Sequence, residues 1–191
     1  MLARYGAAAA APPGVDPAAL EEAALADTYE VAADLVGVAS GIAGGESAGS
    51  LLWPGGLHLP DGSVAELAHR LAPTTDELVL VPGDVPDLPG IVLAKVFKVL
   101  HRTDIVLAPE RGGPGCVALG VRLPLATWLD SEVLDLDADP FEHLLSRAPT
   151  RTACQRAPDW HRLRTPEALR RLDPGLEGWE QTRALLAEAP G

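Results

Sequence analysis

Apolar runs alternate with amphipathic helical patterns along most of this chain. The continuous apolar runs, typical of strands that a sheet buries on both faces, lie at 36–40, 77–81, 104–108 and 116–121. Shorter strands are predicted at 51–53 and 134–137, and helices at 16–35, 61–71, 90–101, 140–147, 165–172 and 176–189. This alternation predicts a three-layer α/β/α fold with a mostly parallel central sheet.

The chain shows no internal repeat and no clear boundary, so we predict one domain over residues 1–191. Residues 1–14 are expected to form a flexible lead-in or a fraying helix, and 176–191 a C-terminal helix. Helix starts are marked by Asp16 before Pro17, and by Ser63 with Glu66 three residues later, which is a capping box.

The strand at 77–81 breaks at Pro82 and Gly83 and presents Asp84 at its carboxyl end. In an open α/β sheet, ligands bind in the crevice beyond the carboxyl ends of the strands. A lone acid at that position can hold a divalent metal against phosphates. A turn aspartate that caps the following helix would explain the same residue. The residues alone leave both interpretations open.

Composition narrows the range of partners. The chain has 191 residues, of which 47% are hydrophobic, with a net charge of −12 and a pI near 4.7. Such acidity argues against nucleic acid or an anionic membrane as a partner, because both require a basic surface. Phosphorylated small molecules remain compatible, since a bound metal reverses the local field. The sequence leaves the oligomeric state open, a homo-oligomer included.

Cellular location is inferred from what the sequence lacks. We find no charged apolar leader and no apolar run long enough to span a bilayer, and expect a soluble cytoplasmic protein. The two cysteines, Cys116 and Cys154, lack metal-ligand spacing and are expected to be buried thiols.

Four stretches, in order along the chain, resemble one superfamily. They are PPGVDPAALEEAALADT, GDVPDLPGIVL, APERGGPGCVALG and DWHRLRTPEALRRL. The second resembles the Gly-Asp-x-Pro-x-Leu turn of GT-A-type nucleotidyltransferases, and the third a glycine-rich stretch of the 2-phospholactate guanylyltransferases. The other two stretches resemble a related bacterial glycosyltransferase-like family. The first resembles the helix that follows its phosphate-binding loop, and the fourth resembles its closing Trp-x-Asp-Val-Asp-Thr-Pro-Glu-Asp-Leu motif.

This resemblance implies a nucleotide-diphospho-sugar transferase fold that binds a nucleotide or nucleotide-sugar. Asp84 matches the family's metal-binding acid, so it would be both the catalytic residue and the ligand of Mg²⁺ or Mn²⁺. Arg111 or Arg164 would neutralise phosphate charge. Substrate would approach the backbone at the glycines, where a Cβ would block it: Gly83, Gly112, Gly113 and Gly115.

Several residues depart from the family pattern. Arg162 and Arg164 stand where the closing motif has aspartates that can ligate metal, and Ala168 replaces a third acid. Arginines beside a metal raise its electrostatic cost. The chain begins near where the family's phosphate loop should end, so we expect the family's first strand and basic phosphate loop to be missing. Either the sequence starts late relative to the family or the fold has been remodelled, and the residues alone leave both explanations open.

These matches and departures support three hypotheses. The first is a metal-dependent nucleotidyl- or glycosyl-transferase. The alternative is a catalytically degraded, non-enzymatic binding or scaffold member of the same fold. The third is a domain that acts only when another chain supplies the missing strand.

Overall fold

The computed structural model describes residues 1–4 and 11–188. Its strands are β1 Leu2–Arg4, β2 Gly41–Ala43, β3 Leu57–Leu59, β4 Glu77–Pro82, β5 Ile105–Pro109, β6 Cys116–Arg122 and β7 Cys154–Arg156. Its helices are α1 Pro17–Ala33, α2 Val64–Leu71, α3 Gly90–Leu100, α4 Phe141–Arg147 and α5 Glu180–Ala187. Short 3-10 turns occur at Glu46–Leu51, Thr127–Leu129 and Ala168–Arg171.

The seven strands form one sheet in the order β3-β2-β1-β4-β6-β5-β7. Strand β2 is parallel to both β1 and β3, and β5 is parallel to β7. Strand β6 runs antiparallel to both of its neighbours, β4 and β5. The predicted α/β fold with a mostly parallel central sheet is therefore confirmed.

The chain divides into two compact units. The first unit comprises Met1–Asp61, Val81–Gly90 and His161–Gly191, and the second comprises Gly62–Leu80 and Ile91–Trp160. The single domain expected over residues 1–191 stays a prediction.

Helix α1 organises the first unit because two apolar clusters use its side chains. One cluster joins Leu20 to Leu163 and Trp179, and the other joins Leu25 and Tyr29 to strand β2. Asp16 caps the helix through a hydrogen bond from the Ala18 amide to its carboxylate, as the sequence predicts.

In the second unit, helix α3 lies close against strand β6. Its buried side chains are Val92, Leu93, Val96 and Leu100. A Cβ built on Gly120 of β6 would lie 3.1 Å from Leu100 and 3.2 Å from Val96, so glycine permits this approach. The predicted capping box of α2 is present, with Ser63 and Glu66 bonded reciprocally.

The expectation of a missing first strand is wrong. Leu2–Arg4 forms β1, which lies between β2 and β4 in the sheet. A partner chain is therefore not needed to fill that place. The expectations that the phosphate loop is missing and that residues 1–14 form a lead-in concern residues 5–10 in large part, which lie outside the described residues.

Other element boundaries differ where the apolar pattern is short. The run at 36–40 precedes β2 instead of forming it, because Val36 is exposed and Gly37 takes a left-handed φ of 80°. Residues 51–53 and 134–137 are not strands, and the sequence pattern predicts neither β3 nor β7. The helix expected at 165–172 is reduced to the 3-10 turn Ala168–Arg171, and α5 begins only at Glu180.

None of the helices in the described ranges, 1–4 and 11–188, combines the length and apolarity needed to cross a bilayer.

Candidate functional site

The turn between β4 and α3 places Asp84 two residues beyond the end of its strand. Two fully buried side chains, Val85 and Leu88, fix the turn against the core. The Leu88 amide also donates a hydrogen bond to the Val85 carbonyl at 3.1 Å. Asp84 is only 1% exposed. It is therefore an interior carboxylate at the carboxyl end of a strand.

Arg162 holds the carboxylate of Asp84. Its Nε donates to both oxygens, at 2.8 Å to Oδ1 and 3.1 Å to Oδ2. Both side chains are 1% exposed, so water barely screens the pair. At 2.8 Å and an effective dielectric near 20 their attraction is about 6 kcal/mol, but removing both charges from water offsets most of it.

Two further contacts attach the same chain segment to the turn. The Leu163 amide donates to the Asp84 carbonyl at 2.8 Å. His161 Nε2 lies 3.1 Å from Asp87 Oδ1, and both of these side chains are almost fully buried. We call these residues, Asp84, Asp87 and His161–Leu163, the paired turn. It places two acids and two basic side chains in the interior of the first unit.

The donor set of the paired turn does not fit a divalent metal at Asp84. Mg²⁺ and Mn²⁺ require several oxygen ligands, with the metal within about 2.0–2.6 Å of each. Both oxygens of Asp84 already accept from a guanidinium, which remains charged at any pH relevant to the protein. A divalent ion at this carboxylate would have to displace Arg162 or lie beside its positive charge.

The other residues predicted for the substrate in the first unit are Gly83 and Arg164. Gly83 is buried, and its carbonyl accepts a long 3.5 Å hydrogen bond from the Thr28 hydroxyl of α1. Arg164 is partly buried and follows Arg162 by two residues. Their predicted roles in substrate binding stay predictions.

In the second unit, Arg111 belongs to the Glu110–Gly115 turn, and its side chain pairs with Asp159. Its guanidinium binds both oxygens of Asp159, at 3.1 and 2.9 Å, and lies 5.4 Å from the centre of the Trp160 ring. These hydrogen bonds raise the pKa of Arg111 and lower that of Asp159. Both side chains are about half exposed, at 55% and 45%, so a ligand anion would compete with Asp159 in the presence of water.

The glycines of this turn have structural reasons of their own. Gly112 takes a φ of 76°, which side chains avoid. A Cβ on Gly113 would collide with the Glu110 carboxylate, which accepts a 3.2 Å hydrogen bond from the Gly115 amide. The turn thus requires Gly112 and Gly113 without any ligand, and substrate contact at Gly112, Gly113 and Gly115 stays a prediction.

A third group of charges lies between α1 and α5 in the first unit. The buried carboxylate of Asp27 accepts from the Gln181 amide at 3.0 Å and the Thr182 amide at 2.8 Å, capping α5. Burial raises its pKa. Glu30 and Glu180 bring carboxylate oxygens within 4.8 Å of Asp27, an arrangement able to hold a cation.

Sequence reasoning missed these partners, although signals for some of them were present. Asp27 interrupts the apolar face of the first helix, which indicates a buried and bonded acid. Arg162 reverses the charge of a family aspartate, and such a reversal points to an acid opposite it. The partnership of His161 with Asp87 has no local signal, since 74 positions separate them in the sequence.

Solved structures with the same fold cover nearly the whole chain. A protein from Desulfovibrio desulfuricans G20 named as a nucleotide-diphospho-sugar transferase superposes with a TM-score of 0.67, covering 98% of this chain and 95% of its own, at 18% identity. The fold is nucleotide-diphospho-sugar transferase-like.

Two further structures share this transferase-like fold. The CMP:2-keto-3-deoxy-manno-octonic acid synthetase complexed with CTP superposes with a TM-score of 0.52, covering 98% of this chain and 96% of its own, at 15% identity. A Mycobacterium sp. strain JC1 homologue of a Mycobacterium tuberculosis protein gives a TM-score of 0.51, with coverages of 85% and 83% and 16% identity. At such identities the likeness shows the fold alone. No protein-family model and no curated protein matches the sequence.

Proposed function

We propose that this chain binds a nucleotide or nucleotide-sugar and acts as a nucleotidyl- or glycosyl-transferase-like protein. The observation that carries this proposal is the position of the Asp84 turn at the carboxyl end of β4, in a sheet of transferase-like fold. Ligands of open α/β sheets bind at that edge. The synthetase with the same fold was solved with CTP, which makes nucleotides the first ligands to test.

Charge neutralisation is the task we assign to arginine in this proposal. Arg164 is placed near the turn by sequence and is only partly exposed, so its guanidinium would interact strongly with a phosphate. Arg111 would have to exchange Asp159 for the ligand. The glycine turn would shape a pocket for the base or the acceptor.

A divalent metal, Mg²⁺ or Mn²⁺, would add charge stabilisation to the leaving diphosphate if one is bound. Asp84 is not suited to hold it as the paired turn stands. The carboxylates of Asp27, Glu30 and Glu180 are close enough together to do so.

A second candidate function is binding without catalysis. The specific observation that favours it is the neutralisation of Asp84 by Arg162, since the residue predicted to be catalytic has both oxygens engaged. A binding or scaffold protein of this fold would keep the nucleotide pocket and lose the transfer reaction.

Calorimetry with guanine, uracil and cytosine nucleotides and their sugar conjugates tests the proposal. We expect one base to be preferred, and Arg164→Ala to weaken its binding about tenfold, or about 1.4 kcal/mol. Lys98→Ala is the matched control, because Lys98 is an exposed cation on α3 and should leave affinity unchanged. Failure of every nucleotide to bind would reject both candidates.

Turnover separates the two candidates. Release of pyrophosphate or of a nucleoside diphosphate from the bound ligand, in the presence of acceptors, would identify the transferase. Tight binding with no release would identify the non-enzymatic protein.

A further inference from the structure

The guanidinium of Arg162 is a cation buried in the interior of the first unit. Arg162 contacts both oxygens of Asp84 through a single N–H, with donor-to-acceptor distances of 2.8 and 3.1 Å. Neither side chain is more than 2% exposed. The pair is neutral as a whole, and an arginine does not release its proton under conditions in which a protein stays folded.

The paired turn fixes that cation in place. His161 contacts Asp87, Arg162 contacts Asp84, and the Leu163 amide bonds to the Asp84 carbonyl, so three consecutive residues are tied to the turn. Removing the guanidinium from Asp84 would disturb its two neighbours as well. Leu163 is also buried in the cluster around Leu20 and Trp179.

A divalent ion therefore meets an electrostatic barrier at this carboxylate. Its charge would lie beside that of Arg162 in a poorly solvated interior, where repulsion is weakly screened. The guanidinium supplies one positive charge, so the Asp84–Arg162 pair is neutral, whereas Asp84 with a divalent ion alone would carry a net charge of +1.

We propose that Arg162 is the permanent counter-cation of Asp84 and takes the place of a divalent metal there. Any phosphate ligand that binds at this turn does so without Mg²⁺ or Mn²⁺, a consequence that rests on the proposed function. The cation role itself does not rest on it. Arg162 fixes the position of the Asp84 carboxylate and provides the positive charge beside it.

Reversing the charge of Arg162 tests the inference directly. Arg162→Asp places a second carboxylate beside Asp84, and we expect it to create a Mn²⁺ site that calorimetry and electron paramagnetic resonance detect. That site should be at least about tenfold tighter than any in the wild type and should vanish in the Asp84→Asn/Arg162→Asp double variant. A folded Arg162→Asp chain with no new site would overturn the proposal.

Arg111→Asp is the matched control. It also reverses an arginine that binds both oxygens of an aspartate, but at a pair that is about half exposed. We expect its Mn²⁺ affinity to stay at least about tenfold below that of Arg162→Asp. Equal gains in Mn²⁺ affinity in the two variants would mean that any added pair of acids binds Mn²⁺. That result would contradict the proposal that Arg162 occupies a specific cation site at Asp84.

The wild-type chain gives a readout that needs no variant. Fe²⁺ with ascorbate and peroxide cuts the backbone next to sites that bind divalent ions, and the fragments are mapped by mass spectrometry. We expect no cuts within residues 82–88 or 161–164, whatever happens near Asp27, Glu30 and Glu180. Cuts in those two segments would overturn the proposal even if Arg162→Asp does not fold.

Nucleotide binding to the wild type separates this inference from the proposed function. CTP, GTP and UTP are titrated in EDTA and in Mg²⁺, and equal affinities in the two support the metal-free turn. A Mg²⁺ requirement that the Glu30→Gln/Glu180→Gln variant retains would overturn it while supporting the proposed function. If no nucleotide binds, the proposed function fails, and the Mn²⁺ and cleavage results still decide the role of Arg162.

Discussion

Removing either partner of the Asp84–Arg162 pair should destabilise the protein, but the two variants should respond differently to pH. Breaking a buried ion pair from one side costs about 3–5 kcal/mol, because a charge remains buried without its partner. Asp84→Asn leaves the Arg162 guanidinium in that state. Arg162→Met leaves the Asp84 carboxylate, which can escape the penalty by binding a proton.

The proton sets the upper limit of the penalty in Arg162→Met. Each pH unit above the ordinary carboxyl value near 3.9 costs about 1.4 kcal/mol to keep the group protonated. The penalty is thus limited to about 4 kcal/mol at pH 7 and about 1.5 kcal/mol at pH 5. Asp84→Asn has no such relief, because the guanidinium does not lose its proton. Its cost should stay at about 3–5 kcal/mol across the same range.

Urea unfolding of both variants and the wild type at pH 5, 6 and 7 measures these differences. Arg111→Met is the matched control, since it breaks an arginine–aspartate pair whose side chains are 55% and 45% exposed. Exposed pairs contribute about 0–1 kcal/mol, so this variant should lose little stability at any of these pH values. Equal pH behaviour of Asp84→Asn and Arg162→Met, or losses no larger than that of Arg111→Met, would refute the buried pair.

Four further predictions concern other residues. Asp27→Ala should lower the free energy of unfolding by about 2 kcal/mol in urea titrations, because two amides at the start of α5 lose their acceptor. Burial raises the Asp27 pKa above 3.8, so this carboxyl adds stability below pH 3.8 that is lost as the pH rises through its folded value. Asp27→Asn should accordingly lose more stability near pH 4 than at pH 7, and no difference would refute the raised pKa. Gly113→Ala should cost about 1–3 kcal/mol by displacing the Glu110 carboxylate, and Glu110→Ala should remove most of that cost in the double variant. Burial raises the pKa of Cys154 to about 11 and Cys116 is also buried, so a thiol reagent at pH 8 should modify neither cysteine until the protein unfolds; rapid labelling of either in the native state would contradict this.

The elements that sequence reasoning placed correctly are those with long patterns. Strands β4, β5 and β6 and helices α2 and α3 each span at least five residues with a clear apolar period or a cap. Strands β1, β2 and β3 have three residues each, too few for any period to be visible. Their pairing with one another decides their conformation, and that information is tertiary.

Strand β7 also depends on tertiary pairing, because its own sequence does not favour a buried strand. Cys154–Arg156 has one apolar-type residue followed by two polar ones, yet it pairs in parallel with β5 over Ile105, Val106 and Leu107. The backbone hydrogen bonds of an existing strand recruit it, whatever its own propensity. Likewise, Thr165–Leu172 carries a good helix start but forms only the 3-10 turn Ala168–Arg171. Ala168 and Leu172 are buried in the same apolar cluster as Leu163, a tertiary contact that the local pattern does not contain.

In the candidate site, too, one feature follows from local sequence and another depends on a residue that is distant along the chain. The position of Asp84 follows from local chemistry, since Pro82 and Gly83 end the strand and the next residue must lie at its carboxyl end. The environment of Asp84 is decided 78 residues away by Arg162. A carboxylate at a sheet edge supports opposite functions according to that one partner, a metal ligand beside acids and half of a neutral pair beside arginine. The charge of the residue opposite Asp84 thus carries more functional information than Asp84 itself.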